Sequence, residues 1–344
     1  MRQENVMIDY TDGQILLTLY IQEYIYYVHI ELEDLISDKF NVKIHKETGK
    51  TEICLQKMSP GVQWKCIGKY LDKHNKFIKI SEQDIIYKRC TLESVSEVTH
   101  DTKLLGLTLP QGCRMCVPLG YHVHIKHNIS GMEVVRSYTV VLPSLHTEQQ
   151  DSRVLEGRLF YLMIKIYKDG TLTPWIDTLS IGDELDISNY DGNFIENRFH
   201  CCKQLILFAA GTGFTPMIRL IYQCLTDSTS DRQVKLIFFN KTEKDILWND
   251  QLDSLSSQSD RFSVHYILSE PGNSWTGLKG RVNKEMMKMF LPKKTDMTET
   301  NSDKSSSSSS DILICACGPT QFTKAVQQYT EDLGYNDSFH AFLG

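Results

Sequence analysis

The sequence contains no apolar run near the roughly 20 residues that a membrane-spanning helix requires, so no transmembrane segment is expected. Its first residues, Met1-Arg2-Gln3-Glu4-Asn5, lack the apolar core of a secretory leader, so no signal peptide is expected there. Basic residues are in deficit: 37 Lys and Arg stand against 43 Asp and Glu, a net charge of −6. General nucleic-acid binding needs a basic surface and is not expected; a local basic patch facing an acidic protein partner remains compatible. With no secretory signal, the ten cysteines are expected to be free thiols. A zinc ribbon needs two C-x-x-C pairs, and only Cys113-Arg114-Met115-Cys116 occurs, followed by His122 and His124. The two histidines alternate with Val123 and Ile125, a strand pattern, so the thiols read as incidental and no metal site is expected. The dinucleotide fingerprint G-x-G-x-x-G is also missing.

A related pattern is present. Leu205-Ile206-Leu207-Phe208-Ala209-Ala210 is a continuous apolar run, as in a strand buried on both faces. Gly211-Thr212-Gly213-Phe214-Thr215-Pro216 follows, and an apolar, helix-compatible segment continues to Leu225. Glycines let backbone approach a pyrophosphate, a helix start offers unpaired N–H groups, and Pro216 suits a first helical turn.

The length of 344 residues suggests two or three domains. Residues 7–70 read as an antiparallel β-sandwich, with strands at 14–20, 24–30, 40–45, 51–55 and 62–67, and a hairpin turn at Thr48-Gly49-Lys50. No acid/base pair stands out there, which favours a binding module. The lysine-rich stretch 71–83 reads as a linker. Residues 84–197 read as a six-stranded barrel with one helical connection, its strands near 85–93, 103–109, 122–126, 137–142, 159–167 and 184–187. Residues 200–344 change period. Strands at 204–209, 234–240, 262–268 and 312–316 alternate with helices, the pattern of a doubly wound parallel sheet. Residues 293–311, with six consecutive serines, read as a disordered surface insert.

A barrel followed by a parallel α/β domain is one of few ways to hold a flavin against a nicotinamide. Arg136-Ser137-Tyr138-Thr139 begins a barrel strand: the arginine can pair with a pyrophosphate, Tyr138 lies two residues on and can pack on the ring, and Thr139 can hydrogen-bond its reacting end. Gly170-Thr171-Leu172-Thr173 opens a short helix whose N–H groups suit phosphate. Cys317-Gly318-Pro319 closes the fourth parallel strand, the end at which such sheets bind ligands.

R-x-Y-T, G-x-x-T, GTGFTP, Asn240-Lys241-Thr242-Glu243-Lys244-Asp245-Ile246 and C-G-P together resemble the ferredoxin-reductase-like flavoproteins, and within them the NADH-cytochrome b5 reductases, over about residues 85–342. The preceding β module looks like a CS-type sandwich, a pairing similar to the type-4 branch, which fuses haem, CS and reductase domains. The resemblance implies FAD contacts from Arg136, Ser137, Tyr138 and Thr139, and from Gly170, Thr171, Leu172 and Thr173. It implies a lysine near the nicotinamide nucleotide at Lys165, and nucleotide contacts from Gly211, Thr212, Gly213, Thr215 and Pro216. Asp245 would meet the adenosine ribose and favour NADH over NADPH, with some NADPH use. Cys317, with Gly318 and Pro319, would border the nicotinamide; Thr139 and Cys317 are the expected catalytic pair. Two prolines of the usual R-P-Y-T-P are absent in Arg136-Ser137-Tyr138-Thr139-Val140, Leu172 replaces a methionine, and no histidine is followed by proline as in the haem domain's His-Pro-Gly-Gly.

The implied activity is NADH-dependent electron transfer through FAD to a cytochrome b5-type haem protein or ferric acceptor. A protein partner is implied for the CS-like module, and a cytoplasmic setting, with the endoplasmic reticulum surface as the narrower expectation. Two alternatives stay open at this point: a CS-type binding module carrying an inactive reductase domain, and an NADPH-preferring reductase.

Overall fold

Apolar residues that alternate, and apolar residues that run on without a break, build different sheets, and this chain contains both. The computed structural model describes residues 2–45, 47–48, 50–292 and 311–342. Gly49 of the expected hairpin turn and the serine-rich insert, apart from Asp311, lie outside the described residues.

The N-terminal module contains β1 (Val6–Thr11), β2 (Gln14–Ile21), β3 (Tyr24–Leu32), β4 (Ile36–Ile44), β5 (Thr51–Lys57), β6 (Gly68–Tyr70) and β7 (Lys76–Lys79). β1, β2 and β3 pair in antiparallel order, and both β6 and β7 pair with β3; β4 and β5 form a separate two-stranded sheet. Asp12 (φ 51°) and Gly13 (φ 80°) make the left-handed turn that suits a tight β1–β2 hairpin. Val6, Ile8, Ile15, Ile30 and Val42 close the core between the sheets. Two expectations need correction. The stretch 71–83 is not a linker, because β7 lies within it and is zipped to Tyr24–Tyr27 of β3. Residues 62–67 are not a strand; Trp64 instead packs on the module core, under the Lys57 ammonium at 4.7 Å.

β8 (Tyr87–Thr99), β9 (Thr102–Thr108), β11 (His122–Ile129), β12 (Met132–Val141), β13 (Leu159–Lys165) and β14 (Glu184–Ser188) close a barrel in the order β11-β12-β13-β9-β8-β14. The intervening β10 (Cys113–Arg114) leaves the barrel and adds to β1 of the first module. Two short helices, α1 (Ser152–Leu155) and α2 (Thr173–Asp177), occur where one was expected. Leu92, Leu105, Leu107, Val123, Ile125 and Leu162 are fully buried inside.

The third unit runs α3 (Glu196–Cys201), β15 (Gln204–Ala210), α4 (Thr215–Thr226), β16 (Gln233–Asn240), α5 (Asn249–Gln258), β17 (Phe262–Leu268), β18 (Leu278–Lys279), α6 (Lys284–Phe290), β19 (Ile312–Cys317), α7 (Thr320–Asp332) and β20 (Phe339–Ala341). All its strands are parallel, in the order β18-β17-β16-β15-β19-β20, so the short edge strands β18 and β20 extend the four expected from sequence. The order reverses between β15 and β19, and parallel sheets bind ligands at such a reversal. On α4, Met217, Ile218, Leu220 and Ile221 are fully buried, each contributing roughly 1.5–3 kcal/mol. They share one core with Leu104, Val141 and Met163 of the barrel.

Candidate active site

β15 ends at Ala210, and the chain turns through a 3₁₀ segment, Gly211–Phe214, into α4. Gly211 has φ +54° and open space where a side chain would stand. Gly213 is needed for a different reason: a Cβ there would lie 2.1 Å from the Cys317 carbonyl oxygen. A Cβ on Gly318 would come within 2.8 Å of Ala210 Cβ. The glycine turns after β15 and β19 are therefore pressed together at the point of strand reversal. Thr215 and Pro216 are buried in the first turn of α4, where a proline leaves no helical hydrogen bond unmade. Thr212 is partly exposed beside the open side of the turn, and Pro319 precedes α7. Burial pushes the Cys317 thiol up to about 12.

On the barrel, Arg136 is exposed, donates to the neighbouring Val135 carbonyl at 2.8 Å, and forms no ion pair among the described residues. Tyr138 packs on the barrel core, and burial pushes its hydroxyl up to about 12 although Arg136 pulls the other way. Thr139 lies opposite His122, and Ser137 opposite His124. Ser137 Oγ is 3.1 Å from His124 Nδ1, a contact that proline at 137 could not make. His122 and His124 group with Asp191, their ligand-type atoms within 4.8 Å of one another, and not with the two C-x-x-C thiols. Cys113 is buried and Cys116 sits beneath Gly157; burial raises both thiols, Cys113 to about 12.

In the Gly170 loop the side chains and the backbone differ in what they leave open. Leu172 is buried in the barrel core, and the Thr173 hydroxyl bonds to the backbone N–H and C=O of Tyr167, each at 3.0 Å. Neither side chain is available to a ligand. The Thr171 and Leu172 N–H groups, by contrast, have no partner among the described residues. A Cβ at Gly170 would strike Thr173 Oγ1 at 2.7 Å, which explains the glycine.

Lys165 and Asp245 meet across the boundary between barrel and parallel sheet, with Nζ and Oδ1 3.4 Å apart. Asp245 closes the 3₁₀ turn Glu243–Asp245, and α5 starts at Asn249. Its Oδ2 accepts from Thr242 N (2.9 Å) and Thr242 Oγ1 (2.7 Å). The Thr242-x-x-Asp245 spacing of a capping box carried that signal in the sequence. Sequence reasoning missed Asp101, whose Oδ2 lies 2.8 Å from Lys165 Nζ. Only the pairing of β9 with β13, which sets Thr102 opposite Lys165, brings Asp101 there. Hydrogen bonds and opposite charge hold both carboxyls below their usual range despite burial, and the paired carboxylates raise Lys165. The parts converge because α4 packs on β12 and the Gly211–Phe214 turn packs on β13.

The Oxidoreductase FAD-binding domain family matches residues 89–195 and the Oxidoreductase NAD-binding domain family residues 207–328. Cytochrome b5 reductase 4 of Bos taurus is 38% identical over 340 residues, covering 98% of this chain and 63% of that protein. The chain thus spans about three fifths of the length of that relative. NADH-cytochrome b5 reductase 1 of Dictyostelium discoideum is 30% identical over 253 residues, covering 73% of this chain and 80% of that protein. The solved CS-b5R domains of human Ncb5or in the NAD+ form superpose with a TM-score of 0.88 at 36% identity, covering 100% of this chain and 93% of that one. The N-terminal sandwich is thus a CS-type module, followed by FAD-binding and NAD-binding oxidoreductase domains. The chain belongs to the cytochrome b5 reductase family.

Proposed function

We propose that this chain is an NADH-dependent flavoprotein reductase that passes electrons to a cytochrome b5-type haem protein. One observation carries the reading. The two glycine turns meet at the strand reversal while the barrel strands bearing Arg136–Thr139 and Lys165 pack beside them.

The residues present fit an anionic dinucleotide cofactor on the barrel. Among the described residues Arg136 is an exposed cation with no carboxylate partner, and Thr171 and Leu172 hold N–H groups without an acceptor; both suit a pyrophosphate. Tyr138 offers a partly buried aromatic face for a ring, and Thr139 a hydroxyl on the same strand. FAD, when bound, supplies hydride acceptance and single-electron release. The chain's own contribution is orientation: the Gly211–Gly213 backbone receives the nicotinamide nucleotide, and Cys317 lines the end of β19 beside it. Asp245, facing Lys165, is the residue for the adenosine ribose, where a carboxylate accepts from hydroxyls and repels a 2′-phosphate. None of the motif positions is dismantled, so an inactive reductase domain is not favoured. The acceptor and the CS-module partner are proteins in this reading. A cytoplasmic setting at the endoplasmic reticulum surface rests on the family alone; no helix among the described residues is long and apolar enough to cross a membrane.

The test is a spectrum of the purified protein followed by anaerobic NADH addition. Flavin bands without a haem Soret band, bleached by NADH, are expected. A colourless protein that takes up no FAD, or a stoichiometric Soret band, overturns the reading.

A further inference from the structure

Lys165 does not face Asp245 alone. Asp101, in the turn between β8 and β9, and Asp245, from the parallel-sheet domain, approach the same ammonium, and each divides its oxygens in the same way. Asp101 Oδ1 accepts from the Thr99 and Thr102 hydroxyls, both at 3.1 Å, leaving Oδ2 at 2.8 Å from Nζ. Asp245 Oδ2 is held by Thr242, leaving Oδ1 at 3.4 Å from Nζ. The locked oxygens fix the aim of the free ones. The side chains are only 24% (Lys165), 24% (Asp101) and 12% (Asp245) exposed, so water screens the cluster weakly. The two carboxylates and the ammonium sum to −1, where Lys165 with Asp245 alone would be neutral, and the His100 ring approaches the same Asp101 Oδ2 with Nε2 at 3.5 Å. Of the lysines on the same turn, Lys241 is drawn to Glu270 at 3.3 Å.

We propose that Asp101 is a positioning and specificity residue: it holds the Lys165 ammonium between two carboxylates and so denies that cation to a 2′-phosphorylated dinucleotide. The proposal rests on the reading that Asp245 meets the adenosine ribose. A 2′-phosphate entering this corner finds a net negative charge and a lysine already committed. A bare ribose needs only hydroxyl acceptors and is not penalised.

Asp101→Asn tests this: the amide oxygen still accepts from Thr99 and Thr102, while an amide N–H₂ donor, which cannot hold the Lys165 ammonium, replaces Oδ2. With a ferric acceptor at low salt, the NADPH-to-NADH ratio of kcat/KM should rise about tenfold, through a lower KM for NADPH, while kcat with NADH stays within about twofold. Added salt should shrink the gain. Asp101→Asn combined with Lys165→Met should lose it, since the released ammonium is the attractor. Asp245→Thr, measured beside it, separates the two levels. If Asp245→Thr shifts the ratio and Asp101→Asn does not, Asp101 is only a turn residue and the proposal falls. If neither shifts it, the ribose assignment falls as well. An Asp101→Asn protein that slows with both dinucleotides equally and loses flavin shows a structural role and also overturns the proposal.

Discussion

Gly213 stands so close to Cys317 that a Cβ on the glycine would lie 2.1 Å from the cysteine carbonyl oxygen and 2.4 Å from its carbonyl carbon. Neither neighbour is a flexible side-chain tip; both are backbone. The contact locks the turn after β15 to the turn after β19. Gly213→Ala must therefore push the two turns apart, with a cost on the order of 2–4 kcal/mol in stability and weaker NAD+ binding. Chemical denaturation and an NAD+ titration measure both. Wild-type values in both would show that the turns separate freely.

Arg136 makes no ion pair among the described residues and is exposed, so the apoprotein gains little from it. A flavin pyrophosphate would gain much. Arg136→Ala should raise the FAD dissociation constant roughly 10- to 100-fold, matching about 1.5–3 kcal/mol for a charge-assisted hydrogen bond. The apoprotein melting temperature should stay nearly the same. Fluorescence titration of apoprotein with FAD checks the first, and a thermal melt the second.

His340 makes the fold acid-sensitive. Its ring contacts Phe194 and Phe342, at 5.0 and 4.7 Å between centroids, and its buried Nε2 has no partner among the described residues. Burial, with Arg198 adding repulsion, pushes its pKa from 6.5 to about 4. Below the ordinary value the unfolded chain takes up a proton that the folded ring refuses. Stability is thus complete above about pH 6.5 and falls as the pH drops toward 4. Solvent reaching part of the ring screens the penalty, so the loss across that window is on the order of 1–3 kcal/mol. His340→Phe should flatten this slope in urea denaturation at pH 5 and 7.5. An unaltered slope would place the acid sensitivity elsewhere.

Cys317 should be slow to alkylate. Its thiol is pushed up to about 12 by burial, so little thiolate exists near neutrality. Cys54, Cys66 and Cys201 are exposed. Mass spectrometry of a timed iodoacetamide reaction should show these three labelled well before Cys317. Equal rates would mean that the end of β19 opens readily.

The inner parallel strands were the most legible part of the chain. Residues 262–268 were read from sequence with the same bounds as β17, and 204–209 ended one residue short of β15. The continuous apolar run of β15, flanked by turns, has few other homes. The glycine turns were equally plain, because close backbone approach leaves glycine as the residue that fits, and Gly213 against Cys317 is such an approach. Short edge strands were not legible. β18, with two residues, β20, with three, and β10, with two, carry too little pattern; each exists because a partner strand offers free backbone groups. The same holds for β7, whose lysine-rich sequence resembles a linker until β3 is beside it.

The sequence by itself determined which residues could do chemistry: a cation, an aromatic and a threonine in Arg136–Thr139, the glycines at 211 and 213, and the carboxylate at 245. Local composition and turn chemistry suffice for that. Only the tertiary structure decided which of them are free to act. The Leu172 and Thr173 side chains lie in the named motif yet are taken up by the barrel core and by Tyr167, which leaves the loop's N–H groups as its open part. Asp101 lies in no motif, yet reaches Lys165, because β9 and β13, some sixty residues apart in the chain, pair in a register that sets Thr102 opposite Lys165. Availability and charge balance depend on contacts between distant segments, and those are properties of the folded chain.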